Sequence, residues 1–243
     1  MDLRVSAKTC PICAHFTTYT PIDEEYHRCP NCGMIRTKYN YDASQYGAGY
    51  AKNYLDYTNS PCNQSLNLFR LGLVSRWLLK GSSILDIGCC VGEFIRFAEP
   101  YYACSGFEPN EIAARTASMR VKSPVASYLN GLGPSFDCIT MFDVIEHIEE
   151  PSDLLKHCIA MLFSNGIIAI TTPDVSVVPE RDTLLRSWKH WKPKEHLYLY
   201  TSDSLKVLFG NLGFEIVHLG REESRIRPGN TDGDLLTCVA RRR

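Results

Sequence analysis

No run of apolar residues in this 243-residue chain approaches the roughly 18–20 that a membrane-spanning helix requires. The opening residues, MDLRVSAKTC, carry no apolar stretch of the kind that directs secretion. An excess of one charge is missing as well: 26 basic and 27 acidic residues leave a formal net charge of −1. That balance argues against a protein built to grip nucleic-acid backbone, where a strong basic excess is expected. These absences predict a cytoplasmic protein with no membrane partner; they leave its oligomeric state open. A chain of this length buries one substantial core and has room for one small extra module.

Cysteine, by contrast, is abundant. An odd total of 11, with no secretory signal, disfavours a disulfide framework. Four of them, Cys10, Cys13, Cys29 and Cys32, have the spacing C-x2-C-x15-C-x2-C. Each pair can sit on a tight turn that aims two thiolates at one point, and two such turns complete the tetrahedral sulfur shell that Zn2+ prefers. Gly33 suits the positive φ such a turn needs. His15 and His27 flank the pairs, but four thiolates already close the shell, so both are expected at the surface. A closed shell leaves no position for water, which makes the expected zinc structural. The ribbon is either a folding staple or a grip on RNA or DNA. Between Met1 and Lys38 the basic residues barely outnumber the acidic ones, which favours the staple. The other cysteines (Cys62, Cys89, Cys90, Cys104, Cys138, Cys158 and Cys238) are expected to be mostly small buried hydrophobes.

Residues 39–57, YNYDASQYGAGYAKNYLDY, are dense in tyrosine, with Gly47 and Gly49 set against any regular pattern. The segment is either a linker packed on the main domain or a lid beside a pocket. From Ser65 to Leu79 the residues Leu66, Phe69, Leu73 and Trp77 recur at helical spacing. Beyond Gly81, strand patterns (Ile84–Gly88, Ala103–Glu108, Phe136–Phe142, Gly166–Thr172) alternate with helical ones near Gly92–Pro100, Glu111–Met119 and Ser152–Phe163. That alternation predicts an α/β domain with a mostly parallel sheet. The expected division is residues 1–38 as a zinc ribbon, 39–64 as a connector or lid, and 65–243 as the main domain.

Ligands of such sheets bind beyond the carboxyl ends of the strands. The stretch SSILDIGCCVGEFIRF, residues 82–97, places a turn there. A dinucleotide fingerprint needs glycine at 88, 90 and 93, where this chain has Gly88, Cys90 and Glu93. A carboxylate at 93 would face the pyrophosphate, so that reading fails. A phosphate-free, cationic ligand such as S-adenosylmethionine fits better. Gly88 and Gly92 allow close approach, Asp86 supplies negative charge, and Glu108 in GFEPN stands where an acidic residue takes ribose hydroxyls.

The segments ILDIGCCVGEF, GFEPN, FDCITMFDVIEHIEEPSDLL and NGIIAITTPD resemble successive motifs of class I S-adenosylmethionine-dependent methyltransferases. The likeness is greatest to the branch that contains the ubiquinone-biosynthesis O-methyltransferases, and HWKPKEHLYLYTSDSLKVLFGNLGF extends it, so that it covers roughly residues 66–219. The ribbon and tyrosine-rich connector are also similar to those of sugar C-methyltransferases. The resemblance implies a Rossmann-like sheet with helices on both faces. It implies that Asp86, Gly88, Cys90 and Gly92 line the methionine end of the cofactor, that Glu108 holds its ribose, and that Phe142 and Asp143 flank it. The family usually has glycine where this chain has Cys90, which is expected here with ordinary backbone angles. Ser127 or Tyr128 is expected near the adenine.

Methyl transfer needs a base only where the acceptor loses a proton. His147, past the fourth strand, is either that base or a residue that holds its loop. Asp143, Glu146 and His147 form a D-x-x-E-H cluster resembling one that binds a divalent ion in some relatives. Glu195 and His196 follow Trp188 and Trp191. By family likeness His196 faces the acceptor, and the alternative is aromatic core packing. GREESRIRPGNTDGD reads as a polar hairpin between the last two strands, and Arg241–Arg243 as a solvated tail. The expected acceptor is a sugar, a nucleotide-linked metabolite or a phenol. An RNA methyltransferase and a non-catalytic cofactor-binding scaffold are the alternatives.

Overall fold

Apolar runs, continuous in Ile167–Ile170 and interrupted only by Asp86 in Ile84–Ile87, form strands covered on both faces. The computed structural model describes residues 7–42, 44, 48–58, 60–129, 135–178, 182–227 and 233–243. The chain begins with five short strands: β1 (Lys8–Thr9), β2 (Phe16–Thr17), β3 (Thr20–Pro21), β4 (Tyr26–Arg28) and β5 (Ile35–Thr37). Helices α1 (Ala48–Thr58) and α2 (Pro61–Ser75) follow. Next come β6 (Ser83–Ile87), α3 (Glu93–Ala98), β7 (Ala103–Phe107), α4 (Glu111–Arg120), β8 (Val125–Ala126) and β9 (Phe136–Phe142). The remainder is α5 (Pro151–Ala160), β10 (Leu162–Pro173), α6 (Asp182–Ser187), β11 (Tyr198–Leu199), α7 (Ser202–Asn211), β12 (Phe214–Gly220) and β13 (Leu235–Arg242).

Seven strands form one sheet in the order β12-β13-β10-β9-β6-β7-β8, in which β13 alone runs against its neighbours. The period-2 geometry of strands sorts its side chains onto two cores. Leu85, Ile139, Ile168 and Ile170 meet Leu155 of α5 and Leu205, Leu208 and Phe209 of α7 on one face. Ile84, Cys138, Ile167 and Ala169 meet Leu73 and Val74 of α2 and Phe94 and Ile95 of α3 on the other. The expected α/β sheet with helices on both faces is therefore present. No helix among the described residues is long and apolar enough to cross a membrane.

Several local expectations need correction. The second half of the tyrosine-rich connector is not irregular: residues 48–58 fold as α1, which packs against α2 and α4. Helix α2 starts earlier than Ser65, capped by Ser60, whose side chain accepts from the Asn63 backbone N–H. Phe163 belongs to β10 rather than to the preceding helix. Arg241 and Arg242 are no solvated tail. Arg241 pairs in register with Ile167 and lies over the Trp77 ring, and Arg242 donates to the carbonyls of Ile159 and Leu162.

The N-terminal strands do not stand apart. β3, β4 and β5 continue into β11, giving a four-stranded sheet of order β11-β5-β4-β3. Buried Cys10, Ile12, Tyr19 and Met34 share one core with Leu197, Tyr200 and Phe209. The hydroxyl of Ser152, in α5, donates to the carbonyl of Pro11.

Candidate active site

A cavity of about 380 Å3 opens at the carboxyl ends of the central strands. Asp86 lines it from the end of β6, Gly88 and Cys90 from the β6–α3 turn, Phe142 and Asp143 from the end of β9, and Tyr54 and Tyr57 from α1. The turn is stapled to β7. Gly88 and Cys89 donate their N–H groups to the Phe107 carbonyl, at 2.8 and 3.1 Å, and Cys90 N–H donates to Glu108 Oε2 at 2.9 Å. Gly88 has φ 69°, and a Cβ there would stand 2.6 Å from the Val144 side chain, so the turn and the β9 loop can meet only over glycine. Gly92 has φ 77° and sits against Ala117 and Val121; it does not itself line the cavity, although Val91 and Glu93 on either side of it do.

Cys90 departs from the expectation of ordinary angles. Its φ is 48°, in the left-handed region that costs a side chain roughly 1–2 kcal/mol. The Glu108 carboxylate holds the turn in that shape: one oxygen takes Cys90 N–H and the other takes Asn110 N–H. Glu108 is buried beside the turn, bonded to the lining residue Cys90, and burial raises its pKa. Asp86 accepts from Thr140 Oγ1 at 2.6 Å, and burial pushes its carboxyl up to about 7. Ser127 is half-buried and Tyr128 exposed, just beyond β8; neither lines the cavity, and residues 130–134 lie outside the described set.

On one wall of the cavity Arg70, Asp143 and Arg227 join the buried Glu223 in a network of four charges, of which only Asp143 falls in a sequence motif. Arg70 of α2 binds Glu223 through two nitrogens, at 2.8 and 3.0 Å, and reaches Asp143 at 2.8 Å. Arg227 binds Asp143 and Glu223 as well. The stretch read as a polar hairpin thus delivers a fully buried carboxylate and a cation to the site. Burial works to raise the Asp143 pKa, but the charges of Arg227 and Arg70 outweigh it and hold the carboxyl well below its usual range. The Arg70 guanidinium also lies 4.5 Å from the centre of the Phe142 ring. One signal in the sequence could have found Arg70. Asn63, Asn67 and Arg70 fall at helical spacing on the buried face of α2, where apolar residues would be ordinary.

Beyond Asp143, a short turn of 3-10 helix (Ile145–His147) presents Glu146 and His147. Glu146, His147 and His196 place their ligand-type atoms within 4.8 Å of one another. His147 Nδ1 donates to the Glu195 carbonyl at 2.8 Å and His196 Nδ1 to the His190 carbonyl at 2.9 Å. Each neutral ring then carries its proton on Nδ1, which leaves Nε2 as the basic atom. Burial lowers both imidazoles, His196 to about 3. Burial, helped by the Asp143 charge, raises Glu146 to about 8. The cluster differs from the D-x-x-E-H reading: Asp143 is tied up by two arginines, and His196 stands in its place. Glu195 is exposed and pairs with Lys192, while Trp188 and Trp191 pack with Tyr26, Ile35 and Leu199.

The four N-terminal cysteines converge. Their sulfurs lie within 4.8 Å of one another, with Cys10–Cys32 at 3.9 Å and Cys13–Cys29 at 3.8 Å. Zn–S bonds of about 2.3 Å in a tetrahedron put sulfurs ~3.8 Å apart, so the residues fit the ion. The residue after each pair, Ala14 and Gly33, has positive φ (61° and 74°). The buried Tyr19 hydroxyl has no other hydrogen-bond partner among the described residues and faces Cys10, where a metal-bound thiolate would accept from it.

Sheet order, glycine turn and strand-end cavity define the class I methyltransferase architecture. A family model described as a methyltransferase domain matches residues 64–219, and the chain belongs to that family. Among curated proteins it is similar to the ubiquinone biosynthesis O-methyltransferase of Caulobacter vibrioides, with 28% identity over 124 residues, 45% of this chain and 48% of the relative. The match thus spans about half the length of that relative. The plantazolicin methyltransferase BamL, solved with a triazolic desmethylPZN analog and SAH, superposes with a TM-score of 0.61 at 13% identity, covering 82% of this chain and 93% of that one. Magnesium protoporphyrin IX methyltransferase (ChlM) from Synechocystis PCC 6803 with bound SAH gives 0.59 at 19%, covering 82% and 91%. At such identities the likeness is one of fold.

Proposed function

We propose that this protein is an S-adenosylmethionine-dependent methyltransferase acting on a small molecule in the cytoplasm. The observation that carries the reading is the strand-end cavity, where the buried Asp86 carboxylate and the Arg70–Asp143–Arg227 charges meet on one wall. Asp86 and Asp143 suit the cationic parts of the cofactor and Arg70 its single carboxylate, while Gly88 and Cys90 let the turn lie against it. When bound, the cofactor supplies an electrophilic methyl group on a good leaving group. The chain's own residues position the acceptor and take up its proton. Phe142 and the α1 tyrosines wall off water, Glu108 fixes the turn and would also accept from the ribose, and Gly92 sets α3 against α4. His147 is the base, acting through Nε2, and His196 beside it faces the acceptor.

A second reading of the same cluster rests on its geometry. Glu146, His147 and His196 would hold a divalent ion, with both Nδ1 atoms already fixed by carbonyls in the manner of metal-ligating histidines. For the N-terminal cysteines we propose a structural zinc site in a ribbon of residues 1–38, followed by a connector (39–64) and the methyltransferase domain (65–243). The acceptor class is a sugar, a nucleotide-linked metabolite or a phenol. The deciding experiment is calorimetry with S-adenosylmethionine and S-adenosylhomocysteine, followed by incubation with labelled cofactor and cell extract to find what gains the methyl group. No binding by the wild-type protein would sink the enzyme reading.

A further inference from the structure

A second cavity, of about 470 Å3, lies between the ribbon strands and the loop that follows His147. Arg36, Lys8 and Tyr39 line it from the N-terminal side, and Glu149, Glu150 and Tyr198 line it from the other. Arg36 is the middle residue of β5, in register with Tyr198, and its guanidinium lies 5.5 Å from the centre of the Tyr19 ring. Its one side-chain hydrogen bond among the described residues runs from Nε to the Thr37 carbonyl at 3.5 Å. No carboxylate among the described residues comes within ion-pair distance of it, whereas Arg70 and Arg227 in the first cavity each bind two. A guanidinium held in a concave site with donors to spare is suited to an oxyanion.

The two sites are joined through the chain. Leu197 N–H donates to the Glu146 carbonyl at 2.8 Å, so the junction that carries His147 and His196 also forms a wall of this cavity. Tyr198 Oη donates to the Glu149 carbonyl, which fixes the rim. The carboxylates of Glu149 and Glu150 are exposed there, good acceptors for hydroxyls and poor company for a highly charged anion.

We propose that this cavity receives the distal handle of the methyl acceptor: a sugar-like group bearing one phosphate or carboxylate. The anion sits on Arg36 and Lys8, and the hydroxyls lie against Glu149 and Glu150. This assignment rests on the methyltransferase reading and makes the ribbon part of the acceptor site.

The test uses the full-length zinc-loaded protein saturated with S-adenosylhomocysteine, titrated with ribose 5-phosphate, glucuronate, ribose and inorganic phosphate. One of the two anionic sugars should bind at least about tenfold more tightly than ribose, and which one does identifies the anion. Arg36→Ala should remove that preference while S-adenosylhomocysteine affinity and zinc content stay at wild-type values. Should that variant fold poorly, Glu149→Gln with Glu150→Gln serves in its place: it should tighten inorganic phosphate more than it tightens either anionic sugar, and phosphate binding unchanged from wild type overturns the proposal. The proposal is overturned if neither anionic sugar binds, if Arg36→Ala binds as the wild type does, or if only a single-stranded RNA oligonucleotide binds through Arg36. Failure of S-adenosylhomocysteine itself to bind would instead refute the methyltransferase reading, and is scored separately in the same samples.

Discussion

Replacing Asp86 with asparagine should stabilise the cofactor-free protein at alkaline pH while weakening its cofactor binding. The amide that replaces the carboxylate keeps an oxygen for the Thr140 hydroxyl, so the hydrogen bond survives and only the charge is lost. Burial raises the Asp86 pKa from an ordinary 3.8 to about 7. Between those values the folded protein keeps a proton that the unfolded chain has released, so stability falls as pH rises through the window. The displacement corresponds to about 4 kcal/mol, of which about 2–3 kcal/mol falls between pH ~5 and pH ~8.5. Glu108 and Glu146 are raised too and otherwise cancel in the comparison; the interaction between Glu108 and Asp86 counts as part of the Asp86 difference. The difference in unfolding free energy between Asp86→Asn and wild type therefore isolates this one group. Denaturant unfolding at the two pH values measures it. A difference that stays flat from pH ~5 to pH ~8.5 would refute the reasoning, as would undiminished S-adenosylhomocysteine affinity in the variant.

Three further outcomes are expected. Cys90→Gly should raise the unfolding free energy by about 0.5–1 kcal/mol, because the left-handed φ of 48° ceases to be strained; a lower thermal midpoint would count against that geometry. Metal analysis of protein purified without chelators should find about one zinc per chain, and Cys10→Ser should lower both zinc content and the melting temperature of the whole protein. Cofactor affinity of the folded fraction should change little in that variant. His147→Ala should lower kcat by about 10²–10⁴ with little effect on S-adenosylhomocysteine binding. Because burial lowers the imidazole pKa, the acid limb of the wild-type rate should lie below the usual ~6.5. Activity that vanishes with chelator and returns with Mg2+ or Mn2+ would favour the ion over the base.

What the residues disclose by themselves is what depends on short-range pattern. The central strands announce themselves because burial on both faces demands largely apolar runs, and the four cysteines because two closely spaced pairs can converge on one point. Cys90 defeats a sequence reading because nothing in its neighbours reports a backbone angle that Glu108, 18 positions away, imposes. Glu223 and Arg227 look like loop polarity, since their partners Arg70 and Asp143 lie far off in the chain. His196 is legible only by likeness; its meeting with Glu146 and His147 depends on how β11 enters the small sheet. The tyrosine-rich segment is ambiguous because weak amphipathicity and two glycines conceal a helix whose order comes from tertiary packing.

The pairing of β5 with β11 also sets a timetable for folding. Ile35 finds its partner Leu199 only after most of the chain has left the ribosome, whereas the cysteine turns need nothing beyond Gly33 to close. The nascent N-terminus could therefore take up the proposed zinc early, yet it waits with one sheet edge open until β11 is made. An isolated N-terminal fragment would keep that edge, and a fragment lacking residues 1–38 would leave β11 and the apolar side chains of Tyr198 and Leu199 uncovered. Both pieces should self-associate when expressed alone.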